Sequence, residues 1–112
     1  MNGNFTAAGE VTAFSDITLK DNIELVTDAL GKITALRGVT FTRNDLEDTE
    51  TRHMGVIAQE IEQYFPEVVI TQPDGIKTVN YGAMAGAFIE AFKEQQSQID
   101  ELRAMVQKLL DK

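Results

Sequence analysis

The sequence predicts an α+β fold, mainly helical: an N-terminal helix, short strands with a β-hairpin, and a long C-terminal helix bearing a coiled-coil seam. Three observations predict it. Residues 82–112 contain no proline and are rich in Ala, Glu, Gln, Lys, Met and Leu, all strong helix formers. Residues 21–36 carry apolar side chains at helical spacing. Gln72-Pro73-Asp74-Gly75 separates two β-rich runs, its Pro and Asp-Gly supplying the restricted and left-handed backbone of a tight reversal. At 112 residues the chain holds one domain, which excludes two-domain enzymes. Its 43% hydrophobic and 25% charged residues are the composition of a soluble globular protein. A core this small, in a chain without cysteine, makes oligomerisation the expected source of added stability.

Residues 1–14 are rich in Gly, Ala and Thr, weakly extended near 11–14 and without a helical stripe, so they read as the tail of something else. Asp21 followed by Glu24 resembles a capping box, and Ile23, Val26, Leu30, Ile33 and Leu36 then share a helical face, which predicts a helix over 21–36. Gly31 weakens it; Gly38 ends it after Arg37, whose charge suits the negative end of the helix dipole. Residues 39–42 alternate as a strand, and 53–56 form a second. Between them Asp45, Glu47, Asp48 and Glu50, flanked by Arg43 and Arg52, read as a solvated loop whose spacing is wrong for an EF-hand. Ile57, Ile61, Tyr64 and Phe65 predict a short helix over 58–65 that Pro66 stops. Residues 67–71 and 76–80 are the strands of the hairpin.

The last helix, 82–112, places Phe88, Phe92, polar Gln95, Ile99, Leu102, Val106 and Leu109 at alternating steps of four and three, a coiled-coil seam. Lys93, Glu94, Asp100, Glu101 and Lys108 fall on its solvated side. So narrow a stripe needs a partner helix. Self-association is the economical answer, the alternative being that the stripe packs back on its own chain. Gln95 within the seam would cost stability and fix register. The pattern alone does not give three strands.

A net charge of −8 with no Lys/Arg cluster argues against nucleic acid as a partner. No run approaches the roughly 18 apolar residues of a membrane span, and the start has no basic or apolar leader, so no membrane partner is expected. No glycine-rich phosphate loop occurs, and no His/Asp/Glu set has ligand spacing, so neither a cofactor nor a metal is expected. The single His53 reads as structural or solvated.

What remains is Ser15 with Lys20. A serine hydroxyl becomes a nucleophile when a base takes its proton, and lysine can be that base when burial or a neighbouring charge lowers its pKa from ~10.4. Five helical steps of about 100° would put the two on different faces, so a working pair needs an irregular segment or a residue from another subunit. The plainer reading makes Ser15 or Asp16 a turn or capping residue and Lys20 a solvated charge.

Ser15-Asp16 with Leu19-Lys20 and Asn22-Ile23 begins a longer pattern. It continues through Gly55-Val56-Ile57-Ala58-Gln59-Glu60-Ile61, Phe65-Pro66-Glu67-Val68-Val69, Val79-Asn80-Tyr81 and Phe88-Ile89-Glu90-Ala91-Phe92-Lys93. Together these resemble the intramolecular chaperone auto-processing domain of phage tail spikes, tail fibres, neck appendages and endosialidases, with a relative in the eukaryotic myelin regulatory factor. The resemblance covers roughly residues 15 to 110 in order. It implies a homotrimer whose last helix is a trimeric coiled coil, which templates folding of a fibre or spike and then releases itself by cutting between Phe14 and Ser15. Residues 1–14 would then be the C-terminal end of the passenger, which serves as both folding client and cleavage substrate. Residues 15–112 would be the auto-processing domain, and 82–112 its coiled-coil helix. Ser15 would be the nucleophile and Lys20 its base, an autoproteolytic serine/lysine dyad working once in the host cytoplasm during virion assembly. The acidic, anchor-free end at Lys112 suits a domain discarded from the mature fibre. Asn22 or a backbone N–H near Gly55 would hold the oxyanion, and the cut would fall in the same chain or in a neighbour's. A coiled-coil trimerisation module without catalysis is the competing expectation.

Overall fold

The structure, a computed structural model, describes residues 12–112. In chain order come a 3-10 turn at Ile17–Leu19, α1 (Ala29–Thr34), β1 (Val39–Phe41), β2 (His53–Gly55), α2 (Ala58–Tyr64), a 3-10 turn at Pro66–Val68, β3 (Val69–Thr71), β4 (Lys77–Val79), a 3-10 turn at Gly82–Met84 and α3 (Ala85–Leu110). The architecture is mixed α and β, with two small antiparallel sheets and one long C-terminal helix. Only residues 12–14 of the expected passenger segment lie within the described part of the chain; the rest of that expectation lies outside it.

The expected N-terminal helix over 21–36 is cut to the six residues of α1. Asn22 and Asp28 have left-handed backbone, φ 55° and 50°, through which a right-handed helix cannot pass. The chain therefore enters α1 only after Asp28, the capping box of Asp21 and Glu24 starts nothing, and Ile23 of the expected stripe stays exposed, as does Leu25. The C-terminal half of the stripe behaves as its spacing predicts: Ile33 and Leu36, with Val26, pack against the core.

β1 and β2 pair Val39 with Gly55, Thr40 with Met54 and Phe41 with His53. The His53 ring stacks on Phe41 with centroids 5.8 Å apart, a packing role. Gly55 is required by its neighbour, since a Cβ there would lie 2.7 Å from the Tyr81 hydroxyl oxygen. The acidic loop between the strands is ordered by Asp48, whose carboxylate accepts the Glu50 N–H at 2.9 Å, the Thr51 N–H at 3.1 Å and the Thr51 hydroxyl proton. These bonds, the Thr51 hydroxyl first, hold the Asp48 carboxyl down at about 2.

α2 ends at Tyr64, and Pro66 opens the next 3-10 turn, where its missing N–H is no loss. Glu67 and Val68 belong to that turn, so β3 starts two residues later than the alternation suggests. β3 and β4 pair Val69 with Val79 and Thr71 with Lys77. Their turn closes through Gly75 N–H to the Gln72 carbonyl at 2.8 Å and Ile76 N–H to Asp74 at 2.9 Å, with Gly75 at φ 87°. Asn80 then accepts the Ala83 N–H at 3.1 Å, starting the turn that leads into α3.

The core is Ile61, Phe65, Val68, Met84 and Ala87. α2 lies over β3 and β4 there, and α1 lies along α3. The radius of gyration is 19.0 Å, against about 13 Å for a compact domain of this size. α3 alone, whose C-terminal half is bare, is about 39 Å long at 1.5 Å per residue.

Ile61 is 1% exposed at the centre of this core, and Ile61→Ala should cost about 2–5 kcal/mol, read as a lower urea midpoint with an unchanged slope. The depressed Asp48 carboxyl has a second readout. Its stabilisation of the loop is complete above the ordinary value of 3.8 and is lost as pH falls through about 2, so its carboxyl carbon should titrate by NMR near 2.

Candidate functional site

The segment entering the domain is built by one side chain. Asp16, itself extended at φ −63° and ψ 136°, accepts the Thr18 N–H at 2.8 Å and the Thr18 hydroxyl proton at 2.7 Å. This Asx-type cap turns the chain, and the Leu19 N–H to Asp16 carbonyl and Lys20 N–H to Ile17 carbonyl bonds, both 3.1 Å, complete a single 3-10 turn. Thr18, through its N–H first and then its hydroxyl, holds the Asp16 carboxyl below the ordinary carboxylate value, against a smaller desolvation effect.

Because Lys20 leaves the turn in extended backbone, its side chain swings back along the incoming strand. Its Nζ donates to Ser15 Oγ at 2.8 Å and to the Ser15 carbonyl oxygen at 2.9 Å. A regular helix would have kept the two residues apart; an extended residue, one tight turn and another extended residue bring them together within one chain. Ser15, Lys20 and Asn22 are exposed, and so are Phe14 at 96%, Ile17 and Leu19. The two expected oxyanion donors are not gathered at Ser15 by hydrogen bonds: Gly55 pairs with Val39, and the Val56 N–H reaches the Tyr81 hydroxyl oxygen at 3.4 Å.

α3 presents two faces. Ala87 and Ala91, each 4% exposed, and the half-buried Glu94 lie on the side that carries α1. Phe88, Phe92, Gln95, Ile99, Leu102, Val106 and Leu109, the seven seam positions, all stand exposed, Phe92 at 68% and Leu109 at 64%. Among the described residues nothing folds back over this stripe. Glu94, expected on the solvated side, instead accepts the Ala29 N–H at 3.1 Å and the Leu30 N–H at 2.7 Å. The sequence carried one signal for this, an acid four residues beyond a buried-face Ala87-to-Glu90 step, but no local pattern points from Glu94 to a helix start more than sixty residues away. Among the described residues no group of His, Asp and Glu is placed to hold a metal ion, and no helix is long and apolar enough to cross a membrane.

Fold and geometry define a class: a small α+β domain with a serine–lysine turn ahead of its first helix and a long last helix whose outer apolar stripe is bare. Residues 15–70 match the model of the peptidase S74 family, described as the chaperone of endosialidase, and the chain belongs to that family. It is also similar to long tail fibre proteins Gp37. The chain is 32% identical over 97 residues to those of Enterobacteria phages K3 and T2, covering 80% of itself and 8% and 7% of them. Against that of Enterobacteria phage Ox2 the identity is 34% over 109 residues, 91% of this chain and 42% of the relative. The chain thus spans less than half the length of each of these fibre proteins.

The turn depends on a side-chain acceptor at position 16. Asp16→Ala should expose the Thr18 and Lys20 amides, raising their exchange rates in hydrogen–deuterium exchange, while Asp16→Asn, which keeps an acceptor, should leave them close to wild type. Since the Asp16 carboxyl lies below 3.8, its contribution as an anion is present above that value and disappears as pH falls through its lowered one.

Proposed function

We propose that this chain is the C-terminal intramolecular chaperone of a phage tail fibre or spike. It trimerises through α3, templates folding of the passenger joined to its N-terminal side, and releases itself by cutting between Phe14 and Ser15. The observation that carries the reading is the 2.8 Å contact between Lys20 Nζ and Ser15 Oγ, made in the first residues matched by the chaperone family. The similarity to tail fibre proteins supports a fibre as passenger. The exposed seam supports the homotrimer, since seven in-register seam positions on one helix demand neighbours. Assembly takes place in the host cytoplasm, and the cut domain leaves the mature fibre.

The contact between Lys20 and Ser15 supports the following chemistry. Neutral Lys20 takes the Ser15 hydroxyl proton as Oγ attacks the Phe14 carbonyl carbon. The peptide C–N bond breaks, the Ser15 amine leaves with a proton returned by Lys20, and Phe14 is held as an ester on Ser15 Oγ. Water hydrolyses the ester, leaving a Phe14 carboxylate and a restored Ser15 hydroxyl. The reaction turns over once, on the chain's own bond, and the intrachain contact favours cutting in cis.

An ammonium in water is charged and cannot accept a proton; desolvation favours the neutral amine. In the single chain Ser15 and Lys20 are exposed, with apolar Phe14, Ile17, Leu19, Ile23 and Leu25 bare beside them. Packing of three copies over these side chains removes the water and bends the junction, which couples cutting to assembly. The second reading, a trimerisation module without catalysis, is favoured by one detail: Lys20 also donates to the Ser15 carbonyl, as a charged lysine closing a turn does.

A precursor carrying upstream fibre sequence separates the readings. Mass spectrometry should find a product beginning at Ser15, and Ser15→Ala should abolish it. Lys20→Ala should slow it by roughly 10²–10⁴-fold, the usual contribution of a general base. The 112-residue chain with Ser15→Ala should have a solution mass near three times 12.4 kDa. An uncut wild-type precursor that forms trimers would leave the non-catalytic module standing.

A further inference from the structure

α1 has six residues, too few to persist as an isolated helix, and Asp28 at its start makes no side-chain cap. Its first N–H groups, at Ala29 and Leu30, have no partner within the helix, and Ala29 is fully buried, out of reach of water. Both donors are satisfied from α3. Glu94 Oε1 accepts from Ala29 at 3.1 Å and Oε2 from Leu30 at 2.7 Å, so each carboxylate oxygen is used, with a negative charge set at the positive end of α1. Ala91 and Ala87, three and seven residues before Glu94 and nearly buried, allow α1 to approach α3 closely.

Between the turn and α1, residues 21–28 form no helix or strand, with left-handed backbone at Asn22 and Asp28, and among the described residues the hydrogen bonds of the turn carrying Ser15 and Lys20 all stay within that turn. Val26 touches the core. The start of α1 is therefore the first hydrogen-bonded anchor after the turn. One residue beyond Glu94 stands Gln95, a seam position. Packing of the seam would set the rotation and height of α3, and through Glu94 the start of α1 and the chain that leads back to the turn.

We infer that Glu94 is a positioning residue for self-cleavage, the link by which packing of the seam helix places the serine–lysine turn. The inference rests on the Ser15/Lys20 reading. Glu94 touches neither the bond cut nor the nucleophile; it fixes where the segment bearing them begins.

The test uses the full precursor, fibre sequence included. Glu94→Gln is isosteric but puts an NH2 group against a backbone N–H. Its trimers should form with unchanged molar mass and cut about 10–100-fold more slowly, the loss that a misplacement of ~1 Å brings. Glu94→Asp, which keeps the carboxylate on a shorter stem, should recover part of that rate; a stability effect alone would show as lost trimer, not as slow trimer. A second measurement does not involve cutting. In Ser15→Ala trimers, adding Glu94→Gln should speed hydrogen exchange at Thr18 and Lys20. Glu94→Gln trimers that cut at the wild-type rate, or unchanged exchange at both amides, would overturn the inference. If Glu94→Gln fails to assemble, Glu94→Asp trimers cutting at the wild-type rate overturn it equally. Cleavage that survives Ser15→Ala refutes the dyad, and the exchange result then still decides whether Glu94 holds the turn.

Discussion

A helix with two apolar faces, in a chain able to cover only one, is the constraint from which the rest of this structure follows. α3 and the turn that leads into it bury Met84, Ala87 and Ala91 against the small core and against α1, and α3 leaves Phe88, Phe92, Ile99, Leu102, Val106 and Leu109 largely to water. Each of these side chains, 38–68% exposed, forgoes roughly half of the 1.5–3 kcal/mol that full burial brings, and six of them together are a large sum beside the stability of a small domain. Such a stripe gains stability from any neighbour that covers it. The inner face is as specific as the outer one: alanines rather than larger residues let a helix of six residues lie close enough for Glu94 to cap it.

The entry segment solves a different problem with different means. It has no core of its own, and its geometry comes from polar groups acting over two to five residues: Asp16 on Thr18, and Lys20 on Ser15. Such contacts are made within the segment itself, so where the turn sits is left to the chain that follows it. They are also weak in water, so the turn is poised rather than locked. The exposed apolar residues around it, Phe14 and Ile17 above all, are surface that assembly would cover.

Much of this was legible in the sequence because it is local or periodic. The hairpin around Gly75, the stop at Pro66, the strands after Gly38 and the uninterrupted C-terminal helix each rest on residues that restrict their own backbone, and each appears within a residue or three of its expected place. The expected helix over 21–36 failed for a reason no periodicity reveals. Asn22 and Asp28 took left-handed backbone, and the helix start was moved to Ala29 by a carboxylate distant in sequence. Glu94 itself was misread for the same reason. On α3 it looks like one more solvated charge beside Lys93, and only the fold brings Ala29 and Leu30 to it. At the site, spacing alone separated Ser15 from Lys20; it was the departure from helical geometry at Asp16 and Lys20 that joined them.

The same division between local and long-range contacts bears on timing. If the domain cuts itself as proposed, acting before its passenger folded would defeat its purpose, so the proposed nucleophile and base would have to meet early and work late. Here they meet in the single chain, 2.8 Å apart and exposed to water. What the single chain lacks is burial, and burial is what the bare stripe of α3 and the bare apolar residues near Ser15 both call for. In the proposed trimer one event would meet both demands, so that association, and not any change in the residues of the dyad, would set the moment of cutting.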